Sequence, residues 1–431
     1  MLTFTLLLLL FLAGTSLFVS AVLGLLAVTL AELFSPLPLI RGLGEVAWSS
    51  SADFILVAIP MFILMGELLL RSGVTDAMYD ALDRWVGHIH GGLMHTNIAA
   101  SAVFAATSGS SIATAATVGT VSIPNMDRYG YNPGLFLGTI AAGGTLGILI
   151  PPSINMVLYG AMSDTAVGDL YLAALIPGLM LAGLFSLYVY LRCIINPSLA
   201  PRGKVATWSQ RLKGLVHLLP PLLLFLLVVG SIYAGLATAT EASALGVMGA
   251  LALVITRGRL TLPLLLRSFE GTVRTTAMVM AIVIAAYFLN FVLSTLGLTD
   301  AAVKWVGQLG WAPLSVLLSI IVLYIFLGCF VESLTLMIAT TPIVVPIIQQ
   351  LGYSPIWFGV VFVILIETAL ITPPIGMNLF VVQSVRKGGP FRDVVMGSLP
   401  FVVLMFLLII GLIAFPGLAL WLPSVFAASR G

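Results

Sequence analysis

Two short polar sequences interrupt long apolar stretches of this chain, and each is followed by a proline pair. The first is Thr107-Ser108-Gly109-Ser110-Ser111, followed by Ile150-Pro151-Pro152-Ser153. The second is Gly328-Cys329-Phe330-Val331-Glu332-Ser333, followed by Thr372-Pro373-Pro374, with Asn378 a turn further on. A proline inside a helix removes a backbone donor and clashes with the carbonyl one turn back, so two in succession oblige the helix to unwind. Bilayer hydrocarbon cannot satisfy the carbonyls this frees, and the break persists only where protein, water or an ion supplies partners. Hydroxyl and carbonyl oxygens of this kind suit a hard cation such as Na+. A helix starting near Ser111 would also turn its positive end toward the same place, where an anionic group is favoured. Small residues for helix packing would account for each Ser, Thr or Gly taken singly. They do not account for polar tips and Pro-Pro breaks that recur together.

The elements that carry these groups are themselves doubled. The stretch PNMDRYGYNPGLFLGTIAAGGTLGILIPPSINMVL lies without a gap on PIIQQLGYSPIWFGVVFVILIETALITPPIGMNLF, 222 residues later. Pro124, Gly130, Tyr131, Pro133, Phe136, Pro151 and Pro152 thereby fall on Pro346, Gly352, Tyr353, Pro355, Phe358, Pro373 and Pro374. Gly/Pro-interrupted spans at matching places in two halves point to the binding site of a secondary transporter.

With 431 residues, 60% hydrophobic, 8% charged and a mean hydropathy of +1.16, the chain reads as an all-α polytopic membrane protein. Apolar runs near the roughly 20 residues a bilayer needs occur at 6–30, 53–70, 134–162, 170–191, 215–233, 242–255, 275–296, 356–385 and 394–420. The first run is too long for a signal peptide and has no basic residue before Arg41, so it is expected to remain as a span. Residues 93–123 and 313–348 carry the polar tips in their middles. They read either as two ordinary spans each or as re-entrant hairpins, each of two half-length helices. The basic residues are spread over loops, which excludes a nucleic-acid face. The sequence contains no GxxxxGK[ST], HExxH or GxSxG, so neither nucleotide-driven transport nor hydrolysis is indicated. Cys193 and Cys329 read as small apolar residues, and His88, His90, His95 and His217 as interfacial, without metal-ligand spacing.

If the loops holding Arg71, Arg84, Arg128, residues 192–213, residues 257–274 and residues 386–392 are cytoplasmic, fifteen of the eighteen Lys and Arg lie inside. Arg41, Lys304 and Arg430 remain outside. That count favours hairpins, makes the repeat inverted, and puts the N-terminus in the cytoplasm and the C-terminus in the periplasm. Amphipathic stretches at 72–90 and 299–309 precede the two hairpins and read as interfacial arms. Of the intramembrane acids, Glu332 is the foremost site candidate. Glu67, Glu241 and Glu367, the last at the position of Thr145 in the first copy, suit a structural or an ion-coupled role equally.

The run from TSGSSIATAATVGTVSIPNMDRYGYNPGLF through LIPPSINMVLYG, the ALIPG after it, ATEASA at 239–244, and FVESLTLMIATTPIVVP through ITPPIGMNLFVV together resemble the large membrane subunit of a tripartite ATP-independent periplasmic (TRAP) transporter, the DctM type. The resemblance covers nearly the whole chain. It implies Na+-coupled import of an organic acid such as a C4-dicarboxylate or sialic acid across the bacterial inner membrane. The implied partners are a small four-helix membrane subunit and a periplasmic solute-binding protein. It also implies an elevator: scaffold helices at 1–70 and 166–297, transport repeats at 71–165 and 298–385, and a C-terminal helix in 386–431. Its sodium sites map onto Ser108, Gly109, Ser110 and Ser111 with Pro151, Pro152 and Ser153, and onto Gly328, Glu332 and Ser333 with Thr372, Pro373 and Pro374. Many relatives of this type carry Asp at the second tip where this chain has Glu332. A stand-alone Na+/carboxylate symporter is the alternative. A membrane enzyme lacks any visible catalytic constellation, and a passive channel would not need paired ion sites.

Overall fold

A computed structural model describes residues 2–13, 18–201, 205–329, 331 and 333–430, and the regular structure among them is helical. The apolar N-terminal run divides into α1 (Leu2–Ala13) and α2 (Val19–Phe34), followed by α3 (Leu43–Ser51) and α4 (Ala58–Arg71). The first repeat comprises α5 (Val74–Val86), α6 (Leu93–Ser108), α7 (Ser111–Tyr129), α8 (Pro133–Leu149) and α9 (Ile154–Ser163). Between the repeats lie α10 (Val167–Ile195), α11 (Trp208–Tyr233), α12 (Ala239–Thr256) and α13 (Leu262–Thr295). The second repeat follows as α14 (Leu298–Gln308), α15 (Pro313–Gly328), α16 (Ser333–Gln350), α17 (Pro355–Leu370) and α18 (Met377–Arg386). The chain closes with α19 (Phe391–Ala414) and α20 (Gly417–Arg430). Six of these helices, or up to eight spans when bent pairs are joined, are long and apolar enough to cross a bilayer, which makes this a multi-pass membrane protein.

The repeat seen in the sequence is a repeat of local instructions. In each copy a helix ends on a left-handed glycine (Gly130, φ 71°; Gly352, φ 84°). A capping side chain then opens the next helix, with Pro in its first turn. Asn132 Oδ1 accepts from Leu135 N at 3.0 Å, and Ser354 Oγ accepts from Trp357 N at 3.5 Å. The helices so started, α8 and α17, are apolar around their whole circumference. Accordingly α8 is buried from Leu135 to Leu149 and α17 from Trp357 to Leu370. They pack on each other at the centre of the molecule, with α6, α7, α10 and α19 around α8. A second group forms beside them, with α12 on α4, α13 on α2 and α4, and α11 on α12.

The start of α6 and the end of α7 lie side by side, because Leu93 N donates to Tyr131 Oη at 3.0 Å. At the same end Asn132 N donates to Leu199 O (2.9 Å) and Trp85 Nε1 to Arg211 O (3.2 Å), which gathers several of the basic loops. Loop 352–354 lies at the other end of the α8–α9 unit, where Tyr159 Oη donates to Pro355 O at 2.8 Å. The arm stretches are helices, α5 and α14, each entered through a left-handed glycine. α5 is pinned to α6 by Tyr79 Oη donating to Asn97 Oδ1 at 2.7 Å.

His95 lies near the start of α6, beside the Leu93–Tyr131 contact. It is buried in the first turn of α6 beneath α10, with Nδ1 2.6 Å from Ser186 Oγ and Nε2 2.8 Å from His90 O.

Candidate functional site

The first tip is a two-residue link between helices. α6 ends at Ser108, Gly109 is left-handed (φ 60°), and extended Ser110 caps α7 by accepting from Ala113 N at 3.4 Å. Thr114 Oγ1 ties the link together, 2.9 Å from Ser108 Oγ and donating to Ser110 O at 2.8 Å. The tip is seated against the first break: a Cβ added at Gly109 would lie 3.1 Å from Pro152 O. Within that break Pro151, Pro152 and Ser153 are all buried. Tyr171 satisfies Ser153 on both sides, its hydroxyl accepting from Ser153 N and donating to Ser153 O, each at 3.2 Å. Ser153 Oγ in turn caps α9, accepting from Met156 N at 3.3 Å. The first tip and the first break therefore lie against each other.

The second pair is looser. Glu332 and its neighbour Phe330 lie outside the described residues. Gly328 ends α15 against Ala369 of α17, and Ser333 opens α16 as a buried residue. The break runs over 371–376, where Thr372 Oγ1 turns back to Thr368 O (2.7 Å) and Pro374 is exposed. A cavity of about 190 Å³ separates Gly328 and Val331 from Ile375 and Gly376. Both Pro-Pro peptides, 151–152 and 373–374, are cis. Asn378, expected beside the second break, sits instead against the first repeat. Its Nδ2 donates to Ala141 O of α8 at 3.4 Å.

The two tips meet at a different place from the two breaks. Ser108, Gly109, Ser110, Ser111 and Ser333 line one cavity of about 340 Å³, closed on its far side by α4 and α13. Pro151, Pro152, Ser153, Gly328, Thr372, Pro373, Pro374 and Asn378 are not part of that lining. The helix starts at Ser111 of α7, Ile154 of α9 and Ser333 of α16 all border it, so three positive helix ends converge there. Asn155, Glu67 and Thr275 also line it and were not singled out for it by sequence reasoning. A polar residue two positions after the Pro-Pro-Ser cap of an otherwise apolar helix was the available signal for Asn155.

Each remaining acid has a hydrogen-bond partner. Ser111 Oγ donates to Glu367 Oε2 at 2.5 Å, joining the N-terminus of α7 to the buried centre of α17 in the other repeat. Glu67 pairs with Arg71 at 2.8 Å, and Glu241 accepts from Thr238 N at 2.8 Å in a capping box.

Comparison with known proteins gives a consistent match. The family pattern "Tripartite ATP-independent periplasmic transporter, DctM component" matches residues 2–418. The C4-dicarboxylate TRAP transporter large permease protein DctM of Pseudomonas aeruginosa is 35% identical over 93% of both chains. The sialic acid TRAP transporter large permease protein SiaM of Vibrio cholerae is 34% identical over 87% of each. The ectoine/5-hydroxyectoine TRAP transporter large permease protein UehC of Ruegeria pomeroyi is 31% identical over 85% of each. Among solved structures, the Alcanivorax borkumensis YdaH transporter superposes with a TM-score of 0.65 at 15% identity, over 96% of this chain and 98% of that one. At that identity the likeness concerns the fold.

Proposed function

The chain belongs to the DctM component family of tripartite ATP-independent periplasmic transporters, and from that premise we propose that it is the permease through which an organic acid, delivered by a periplasmic solute-binding protein, is imported with Na+ across the inner membrane. A small four-helix membrane subunit completes the assembly. The observation that carries this reading is the cavity of about 340 Å³ shared by the polar tips of both repeats and bordered by three helix N-termini. Positive helix ends favour a carboxylate, and hydroxyl and carbonyl oxygens suit an alkali cation.

The donor set around the first tip fits Na+: Ser108 and Ser110 supply hydroxyls, and the Pro152 carbonyl lies against Gly109. Ser333 and Thr372 are the counterparts at the second tip. Na+, when bound, supplies positive charge beside the carboxylate. The protein's own residues do the rest: Ser110 and Ser153 hold two helix starts in register, and the packed apolar walls exclude water.

The cavity lies where two packing groups meet. The tips belong to the group centred on α8 and α17, and the facing wall belongs to α4 and α13. That boundary is where an elevator would slide, with both hairpins re-entrant from opposite sides. Packing, rather than chain order, draws the line, which assigns α10 and α19 to the inner group because both lie on α8. Relatives named for a C4-dicarboxylate, a sialic acid and ectoine resemble this chain about equally, which supports selection of cargo largely by the receptor.

The test is reconstitution of the chain with and without the small subunit and receptor, under an inward Na+ gradient. Uptake is expected only from the complete set and only with Na+. Full uptake by the single chain would make it a stand-alone symporter.

A further inference from the structure

Asn155 stands in the first turn of α9, two residues after the Ser153 cap, on the wall of the cavity of about 340 Å³. It is 2% exposed, and among the described residues its Nδ2 has no hydrogen-bond partner. A buried amide in that condition is costly, and one that meets a group on a bound molecule is relieved of the cost. Because the amide both donates and accepts, it can face a hydroxyl, a carbonyl or another amide.

The charges around it narrow the molecule further. No Lys or Arg is among the described lining residues, and the carboxylate of Glu67 is already engaged by Arg71 at 2.8 Å. Negative charge on a guest is therefore met by helix ends, hydroxyls and any Na+ bound with it. Each helix end is equivalent to roughly half a unit of positive charge. The Ser111 hydroxyl already serves Glu367. Helix ends and Na+ meet a carboxylate; an uncharged polar group of the guest falls to the Asn155 amide.

Resting on the reading of this cavity as the cargo site, we propose that Asn155 is a specificity-determining residue that hydrogen-bonds an uncharged polar group of the cargo. The cargo is then a carboxylate that also bears an uncharged hydroxyl, carbonyl or amide group.

Thermal unfolding of the purified full-length chain in detergent tests this with four sodium salts at matched Na+ and ionic strength: chloride, succinate, gluconate and N-acetylneuraminate. At least one of the two hydroxylated monocarboxylates should raise the Tm saturably beyond chloride and by more than succinate, which has no uncharged polar group. Asn155→Leu should weaken that monocarboxylate's apparent affinity by on the order of tenfold or more, with the response to sodium chloride unchanged. Asn155→Ala should behave alike and serves if the leucine variant does not give a cooperative transition. Stabilisation by succinate equal to that by the monocarboxylates overturns the assigned class. Undiminished affinity in both variants overturns the role of Asn155 alone. A wild-type chain that none of the three organic anions stabilises overturns the cargo cavity itself, and this inference with it.

Discussion

The two repeats share the turns and caps that open α8 and α17, and their cis Pro-Pro peptides, yet they treat the space between tip and break, and the helix start after it, differently. In the first, Gly109 lies against the Pro152 carbonyl and the break is buried. In the second, a cavity of about 190 Å³ stands between them and Pro374 is exposed. The caps differ too. Ser153 holds the start of α9 by a side-chain hydrogen bond, whereas α18 starts from left-handed Gly376 with no side-chain cap. Duplicated sequence has thus produced one closed and one looser half. The lesson is that a shared backbone instruction does not fix how tightly the parts it brings together will pack.

The largest expected effect lies where the first half is tightest. Gly109→Ala places a side chain in a left-handed conformation, at about 1–2 kcal/mol, and pushes it toward the Pro152 carbonyl. Uptake by the reconstituted complex should fall at least tenfold with expression retained. Val331→Ala, facing the second tip's cavity, should cost about 1 kcal/mol or less. Equal losses in the two would erase the distinction between the halves.

Next is the link between the repeats. Glu367→Gln keeps an acceptor for the Ser111 hydroxyl but exchanges a carboxylate for an amide, which should cost about 1 kcal/mol, the difference between hydrogen bonds to charged and to neutral groups. Its counterpart Thr145 donates only within its own helix, to Ala142 O at 2.7 Å, so Thr145→Val should cost less. Thermal unfolding of the purified variants ranks the pair, and a larger drop for Thr145→Val would break the account of Glu367 as a cross-repeat tie.

The cap follows. Ser153→Ala should destabilise by about 1 kcal/mol, seen as a lower Tm. At the bottom of the scale, Ser319→Ala should be silent in both assays, because Ser319 is exposed and donates only to Ser315 O of its own helix.

Much of this architecture was legible before any coordinates. Gly130, Asn132 and Pro133, with their partners Gly352, Ser354 and Pro355, punctuate helices by rules that act over three or four residues. The double prolines at 151–152 and 373–374 break their helices, whereas Pro220-Pro221 is accommodated inside the continuous α11. Contacts between elements distant in the chain carried no such local signal. Asn378 belongs by sequence to the second break, but its side chain faces α8, because the amide that can reach it is set by how α18 lies over the first repeat. Ser186 reads as an idle residue of a long apolar helix, yet it is 2.6 Å from a buried His95 ring. Asn155 and Glu67 became site residues only when α9 and α4 were brought to one cavity.

The central claim is that tips from both halves serve one Na+-dependent site, and the Na+ concentration giving half-maximal uptake in the reconstituted tripartite complex tests it most directly. Loss of one oxygen ligand to a partly dehydrated cation should cost about 1–3 kcal/mol, so Ser110→Ala and Ser333→Ala should each raise that concentration by roughly tenfold to a hundredfold. The account predicts this rise in both variants, with receptor docking intact. Uptake in both with an unchanged Na+ dependence would contradict it and leave the tips as packing elements.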